Sequence, residues 1–474
     1  MGIVLPPRVG LAAMSALRIF AGFAILLVLV AGAFVAYAWR SVIDPINPPV
    51  QTSFDRALVA RGADLAAIGN CNVCHTAPGG VPFAGGLGIP TPFGTIYSTN
   101  ITPDPQSGIG RWSEAAFIRS MREGVDREGR HLYPAFPYDH YTLVTDEDSR
   151  ALYAFLMTRK AVSAASPANE LSFPFNIRML LAGWKALYLR EGPLQPDSNQ
   201  SAEWNRGRYL VEGLSHCGAC HTPRNRLGGE KKDEYFAGAE VENWTVYPIN
   251  ANSPAPVPWN ADSLTFYLRH GWHEHHGASR GSMAPVTANL GSIPEADVRA
   301  IAAYVSDVMG RPSQARIARG QAALATARKE SEAPFAMRAN STDNGVGEAI
   351  FLSACQGCHD GRRPVPFGGL NLHLSSAVNA PNAQNIINVT VFGLPAAKGE
   401  PSAIMPAYHG VLNPDQLVAL LDYMRDRFSD QPAWTDTRAR VTATMSGERE
   451  VPIYRMDGTT QAPPETSMRT TPWP

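Results

Sequence analysis

Charge is scarce in this chain: Asp, Glu, Lys and Arg make up 18% of 474 residues, below the roughly 25% of an ordinary soluble protein. The formal net charge of −1 leaves no basic excess, which excludes the electrostatic footprint of a nucleic-acid partner. No G-x-G-x-x-G fingerprint and no P-loop lysine motif occurs, so the chain offers neither a dinucleotide nor a nucleoside-triphosphate cradle. With 41 glycines and 39 prolines, a long-helix bundle, a coiled coil or a charged disordered chain is excluded, and compact, loop-rich domains remain. Cysteine is sparse too, at six residues, and their placement carries most of the information.

They fall in three pairs, Cys71 and Cys74, Cys217 and Cys220, Cys355 and Cys358, and each pair is followed by a histidine: His75, His221 and His359. The strings CNVCH, CGACH and CQGCH are three copies of the c-type haem attachment signature. Two thiols separated by two residues add to the two haem vinyl groups, and the adjacent histidine is held under the iron as its proximal ligand. Structural zinc would draw four N or S ligands from two such clusters, and a redox dithiol needs no histidine after every pair. Three covalently bound haem c groups are therefore expected. With every cysteine so used, neither a structural disulfide nor a thiol nucleophile is left.

The attachment cysteines recur at intervals of 146 and 138 residues, and the sequence around them repeats. A glycine and an apolar helical stretch precede each pair, and a small-residue turn follows it: FAGG at Phe83, FAGA at Phe236 and FGGL at Phe367. Each unit closes with an amphipathic helix, from Asp146, Glu295 and Pro414, whose apolar positions recur at three- and four-residue intervals. This predicts a mainly α protein of three tandem class I cytochrome c domains. The expected boundaries are 53–160, 201–312 and 341–430, with a connecting segment at 161–200, a polar linker at 313–340 and an extended or disordered tail at 431–474. Residues 1–52 form an N-terminal anchor and linker.

Within that anchor, Ile19 to Trp39 is a 21-residue apolar run, long enough to cross a hydrocarbon core of about 30 Å. It exceeds the usual signal-peptide core, although AYA at 36–38 resembles a cleavage site. The favoured reading is a retained transmembrane helix in the inner membrane with the body on the periplasmic side; a cleaved signal is the alternative, and both export the body.

Sixth ligands are expected from the loop before each closing helix, where a methionine thioether favours Fe(II). Met283 in GSMAPV and Met405 in AIMPAY fill this position in the second and third units. In the first, spacing from Trp112 and Gly124 matches spacing from Trp259 and Gly271 and places Phe136 in the methionine position. His140 is the nearest substitute, with His131, Met121 and Met157 further candidates; an open, five-coordinate iron is the other possibility. The cluster His273, His275 and His276 reads as a solvated loop. Residues from Phe173 onward, FPFNIRMLLAGWKALYLREG, are apolar nearly all round, which suits a helix between domains, against the membrane or against a partner.

The strings FAGGLGIPTPFGTIYSTNITPD and GIGRWSEAAFIRSMREGVDREGRHLYPAFPY resemble the three-haem cytochrome c subunits of bacterial membrane-bound dehydrogenases, over about residues 54–430. The resemblance implies an electron-transfer subunit that takes electrons from a catalytic dehydrogenase subunit and passes them to ubiquinone or onward carriers, with no catalytic site of its own. It also implies a partner of one of three kinds: quinoprotein alcohol, flavoprotein polyol or gluconate, or molybdopterin aldehyde dehydrogenase. YPAFPYDH, with phenylalanine for the family's usual methionine, looks more like the cytochromes paired with molybdopterin and iron–sulfur aldehyde oxidases. Rival readings are a peroxidase-like haem enzyme using an open first haem, and a terminal-oxidase subunit.

Overall fold

The computed structural model describes residues 11–332, 345–359, 361–363, 365–395, 402–447, 453–454 and 460–461. Helix α1 (Leu11–Ala38) contains the apolar span Leu17–Ala38, which is long and apolar enough to cross a membrane and whose side chains pack on almost nothing.

Three helix pairs follow, built alike. In the first unit α2 (Arg56–Ile68) starts at Asp55, whose side chain accepts from the Leu58 N–H and satisfies an otherwise orphaned donor. The hairpin β1 (Gly88–Thr91) and β2 (Gly94–Tyr97) follows, then α3 (Glu114–Glu123) and α4 (Asp146–Met157). Strand β3 (Glu170–Leu171) pairs with β2 and leads to α5 (Leu181–Tyr188). The second unit repeats the order: α6 (Ala202–Tyr209), hairpin β4 (Ala239–Val241) and β5 (Trp244–Val246), α7 (Ala261–His270), α8 (Met283–Gly291) and α9 (Glu295–Met309). After α10 (Gln314–Glu332), the third unit has α11 (Gly345–Ile350), α12 (Gln384–Phe392), α13 (Pro414–Phe428) and α14 (Thr437–Met445).

In each unit the first helix crosses the closing helix at a glycine. A Cβ on Gly62 would lie 2.0 Å from the Ala151 carbonyl oxygen, on Gly207 1.9 Å from that of Ala300, and on Gly347 2.1 Å from that of Ala419. Two of the crossings carry the same ion pair: Arg61 beside Gly62 meets Asp148 at 2.5 Å, and Arg206 beside Gly207 meets Asp297 at 2.8 Å. Tyr209 joins the two units by donating to Asp148 at 2.8 Å.

The first two units share one continuous apolar core, running from Leu65, Ile68 and Leu152 to Leu210, Leu214 and Ile301. The third has its own, around Ile387, Leu417, Leu420 and Leu421, and meets the second through polar contacts of β5 with Asn382 and Asn385. Two expectations are corrected. Much of the polar linker is the helix α10, with Gly320 pressed on Pro258 and Ala327 buried. The first part of the expected extended tail folds: Trp434 and, from α14, Val441 join the third core.

Candidate haem-binding sites

Each pair lies at a short helical turn that follows its unit's first helix: Cys71–Cys74 holds both thiols of the first pair, Cys217 caps the turn Gly218–His221 that holds Cys220, and Cys355 ends the wider turn Phe351–Cys355 that runs into Gln356–His359 with Cys358. Left-handed residues set that turn in the first two units, Asn70 at φ 54° and His216 at φ 40°. The histidine that follows each pair is then oriented by backbone. His75 Nδ1 lies 2.6 Å from the Thr99 carbonyl, His221 Nδ1 2.9 Å from that of Tyr247, and His359 Nδ1 2.8 Å from that of Leu370. A carbonyl only accepts, so Nδ1 carries the proton and Nε2 keeps the lone pair, the tautomer of an Nε2 metal ligand. Burial lowers the pKa of His75 and His221 and holds their rings neutral, as ligation requires.

The small-residue turns explain how these carbonyls reach the histidines. The amides of Gly85 and Gly238 donate to the His75 and His221 carbonyls, and that of Gly369 to Cys358, each at 2.8 Å. A Cβ at Gly85 would lie 2.4 Å from Thr99 C, and one at Gly369 2.8 Å from His359 Nδ1. Only glycine allows the chain this close.

Of the two predicted methionines, Met283 begins a helix and Met405 lies in a short bridge, and the segments of both contact residues beside cysteine pairs. Met283, half-buried against the shared core, opens α8. Its neighbour Ser282 donates to Glu242 in the β4–β5 turn at 2.5 Å, and Asn289 reaches across to Asn70 and Asn72 at 2.8 and 3.1 Å. Met405 pairs its backbone with Leu394, and three residues on Tyr408 donates to the Ala354 carbonyl, next to Cys355, at 2.8 Å. Paired thiols, a backbone-held imidazole and a methionine thioether fit the donor set of haem c.

Comparison with known proteins gives the same answer. Residues 343–424 match the model of the cbb3-type cytochrome c oxidase subunit III family. The gluconate 2-dehydrogenase cytochrome c subunit of Pantoea cypripedii is 34% identical over 86% of this chain and 91% of its own length. The fructose dehydrogenase cytochrome subunit of Gluconobacter japonicus is 34% identical over 86% and 87%. The chain belongs to the dehydrogenase cytochrome c subunits. A nicotinate dehydrogenase subunit of Pseudomonas putida is 46% identical over 84% of this chain, but the chain spans only a third of its length. Covalently bound haem c comes with this family.

In this cytochrome subunit the ring of His140 is already bonded to protein on both sides. Its Nδ1 is 2.6 Å from the Glu212 carbonyl and its Nε2 2.6 Å from Glu230 Oε1, so both ring nitrogens are engaged by protein. The ring also belongs to the neighbouring site, with Cε1 3.0 Å from where a Cβ on Gly218 would lie. The other candidates are engaged elsewhere: His131 bonds the Ala38 carbonyl and Lys185, and Met121 and Met157 fill the core. Phe136 packs on Tyr141, ring centroids 5.2 Å apart. The histidine cluster also differs from a solvated loop, since His276 is buried and stacked on Trp259 at 3.5 Å.

A residue that sequence reasoning passed over lies between the first two cysteine pairs. His216, directly before Cys217, has its Nε2 3.4 Å from the Gly69 carbonyl and its ring edge-on to Tyr141 at 5.6 Å. Burial and the nearby His140 lower its pKa to about 4, so it is neutral at physiological pH. The available signal was its position, adjoining an attachment cysteine.

The buried His140–Glu230 pair predicts a pH-dependent contribution to stability. Burial opposes the charged form of His140, but the bond and charge of Glu230 outweigh it and raise the pKa above the ordinary value. Burial likewise opposes ionised Glu230, while His140 and Lys232 bring it down to about 2. The pair is at full strength between about pH 4.5 and 6.5, weakening as pH rises through the raised His140 value or falls toward 2. Glu230→Ala is expected to cost about 3 kcal/mol at pH 6 and progressively less as pH rises through the raised His140 value, measured by denaturant unfolding across a pH series. A loss that does not fall with rising pH would contradict the pairing.

Proposed function

We propose that this cytochrome subunit is a three-haem electron relay built from tandem class I cytochrome c domains, held at the periplasmic face of the inner membrane by α1. It passes electrons from a catalytic dehydrogenase subunit to ubiquinone or the respiratory chain. One observation carries this reading: three times over, a histidine directly after a cysteine pair has its Nδ1 held by a backbone carbonyl. Bound haem c supplies reversible one-electron iron chemistry. The residues of the chain tether it (Cys71, Cys74, Cys217, Cys220, Cys355, Cys358), supply proximal imidazoles (His75, His221, His359) and supply thioethers (Met283, Met405).

The proposed catalytic partner is a molybdopterin aldehyde dehydrogenase with an iron–sulfur subunit. Phe136 in YPAFPYDH, where the family usually has methionine, supports it. Purifying the tagged chain from its own membranes tests this: a molybdopterin-containing large subunit and an iron–sulfur protein should accompany it, whereas a quinoprotein or flavoprotein would replace that partner. Met405→Leu should abolish the thioether charge-transfer band of one haem and lower one midpoint potential in a redox titration. An unchanged titration would remove Met405 from the ligand set.

The engagement of His140 favours one second reading, in which the first haem is open to small ligands and acts as a peroxidase-like centre. Cyanide binding by one ferric haem together with peroxide turnover would support it; low-spin spectra from all three would exclude it.

A further inference from the structure

Residues 173–188 carry an apolar surface that the fold leaves uncovered. Phe173 is 79% exposed and Leu187 58%, with Phe175, Ile177 and Leu180 exposed between them. The cations of this stretch turn inward. Lys185 Nζ is buried and donates to the carbonyls of Glu123 and Gly124, both at 2.6 Å, with His131 Nδ1 at 2.9 Å. Arg178 donates to the His131 carbonyl at 3.1 Å and lies over the Tyr133 ring at 4.8 Å. The Trp184 indole donates to the Leu227 carbonyl at 2.9 Å. The outer face keeps its hydrocarbon.

Position identifies what covers that face. A Cβ on Gly183, in α5, would lie 3.9 Å from the Phe34 ring of α1. Phe34 is inside the span Leu17–Ala38, four residues and about 6 Å before its end at 1.5 Å per residue. Tyr37, one residue before that end, and Trp39, one residue after it, are exposed, where amphipathic rings sit at a membrane–water boundary. A helix that touches α1 below that boundary lies within the bilayer interface.

We propose that residues 173–188 are a second, monotopic membrane contact, resting in the outer leaflet beside α1. The proposal rests on α1 being retained as an anchor. The occupant is lipid, because the patch is continuous with the membrane-crossing helix and its charges are withdrawn. The contact also seats the first unit. Tyr133 donates to the Phe175 carbonyl at 3.1 Å, and Tyr138 meets Trp184 edge to face at 5.8 Å. Both belong to the loop carrying Phe136, so the first unit is the one presented to membrane-soluble electron acceptors.

The test uses the full-length, haem-loaded chain in phosphatidylcholine–phosphatidylglycerol vesicles, with the photoreactive residue p-benzoylphenylalanine replacing Phe173 in one variant and Leu187 in a second. A third variant replaces Phe367, which is 73% exposed in the third unit. After irradiation, mass spectrometry of the peptides should find lipid adducts at 173 and 187, at least tenfold above those at 367. Equal yields at the three positions, or adducts to protein instead of lipid at 173 and 187, would overturn the proposal. The intact mass of the same samples reports separately whether α1 is present, so loss of the anchor and failure of the contact are distinguishable.

Discussion

Gly207→Val should bring down the shared core of the first two units. The Cβ alone would sit 1.9 Å from the Ala300 carbonyl oxygen and 2.6 Å from its carbon, and valine adds two methyl groups in the same gap. Both obstacles are backbone of a packed helix, so no side chain can swing away, and α6 and α9 must separate. Overpacking of this kind costs about 3 kcal/mol, which for a core of this size corresponds to a fall in melting temperature of roughly 6–12 °C. Because Ile68 and Leu152 of the first unit belong to the same core as Leu210 and Ile301, the two units should lose structure in one transition. Gly347→Val should act on the third unit alone, whose core is separate. Thermal unfolding followed by circular dichroism and by haem absorbance reads both. A melting temperature unmoved by Gly207→Val would mean that the helices do not cross at that residue.

Replacing Cys217 and Cys220 together by alanine should remove one covalently bound haem of three, and with it a third of the haem absorbance per chain. The damage should spread to the first unit. Cys217 and Cys71 pack against the same core, Leu214 Cδ1 is 3.2 Å from where a Cβ on Gly69 would lie, and Asn289 bonds Asn70 and Asn72. Replacing Cys355 and Cys358 should leave the first two haems and their unfolding transition in place. Haem-to-protein ratio and denatured mass of the two double variants give the comparison; equal destabilisation of the first unit by both would contradict the shared core.

The helical turns at the cysteine pairs, the closing helices and the membrane-length segment could all be read from the sequence, because each rests on local spacing. The repeat also aligned Trp112 with Trp259 and Gly124 with Gly271, and those glycines do end equivalent helices, α3 and α7, in left-handed conformation. What escaped depends on contacts between distant segments. Nothing local in YPAFPYDH shows that the His140 nitrogens meet Glu212 and Glu230, residues more than 70 positions away. The fusion of two units into one core is likewise a matter of packing between repeats. One missed signal was present in the residues themselves: Arg61-Gly62 with Asp148-x-x-Ala151 recurs as Arg206-Gly207 with Asp297-x-x-Ala300. It marks the helix crossing and the ion pair beside it.

The central claim is that this one chain carries three thioether-linked haems. It is tested most directly by the denatured mass of the full-length protein from a host competent in cytochrome maturation, with the modified peptides located by fragmentation. Three haem increments, one each on the peptides holding Cys71 and Cys74, Cys217 and Cys220, and Cys355 and Cys358, are the predicted result. Fewer than three, or a disulfide within any pair, would contradict the account.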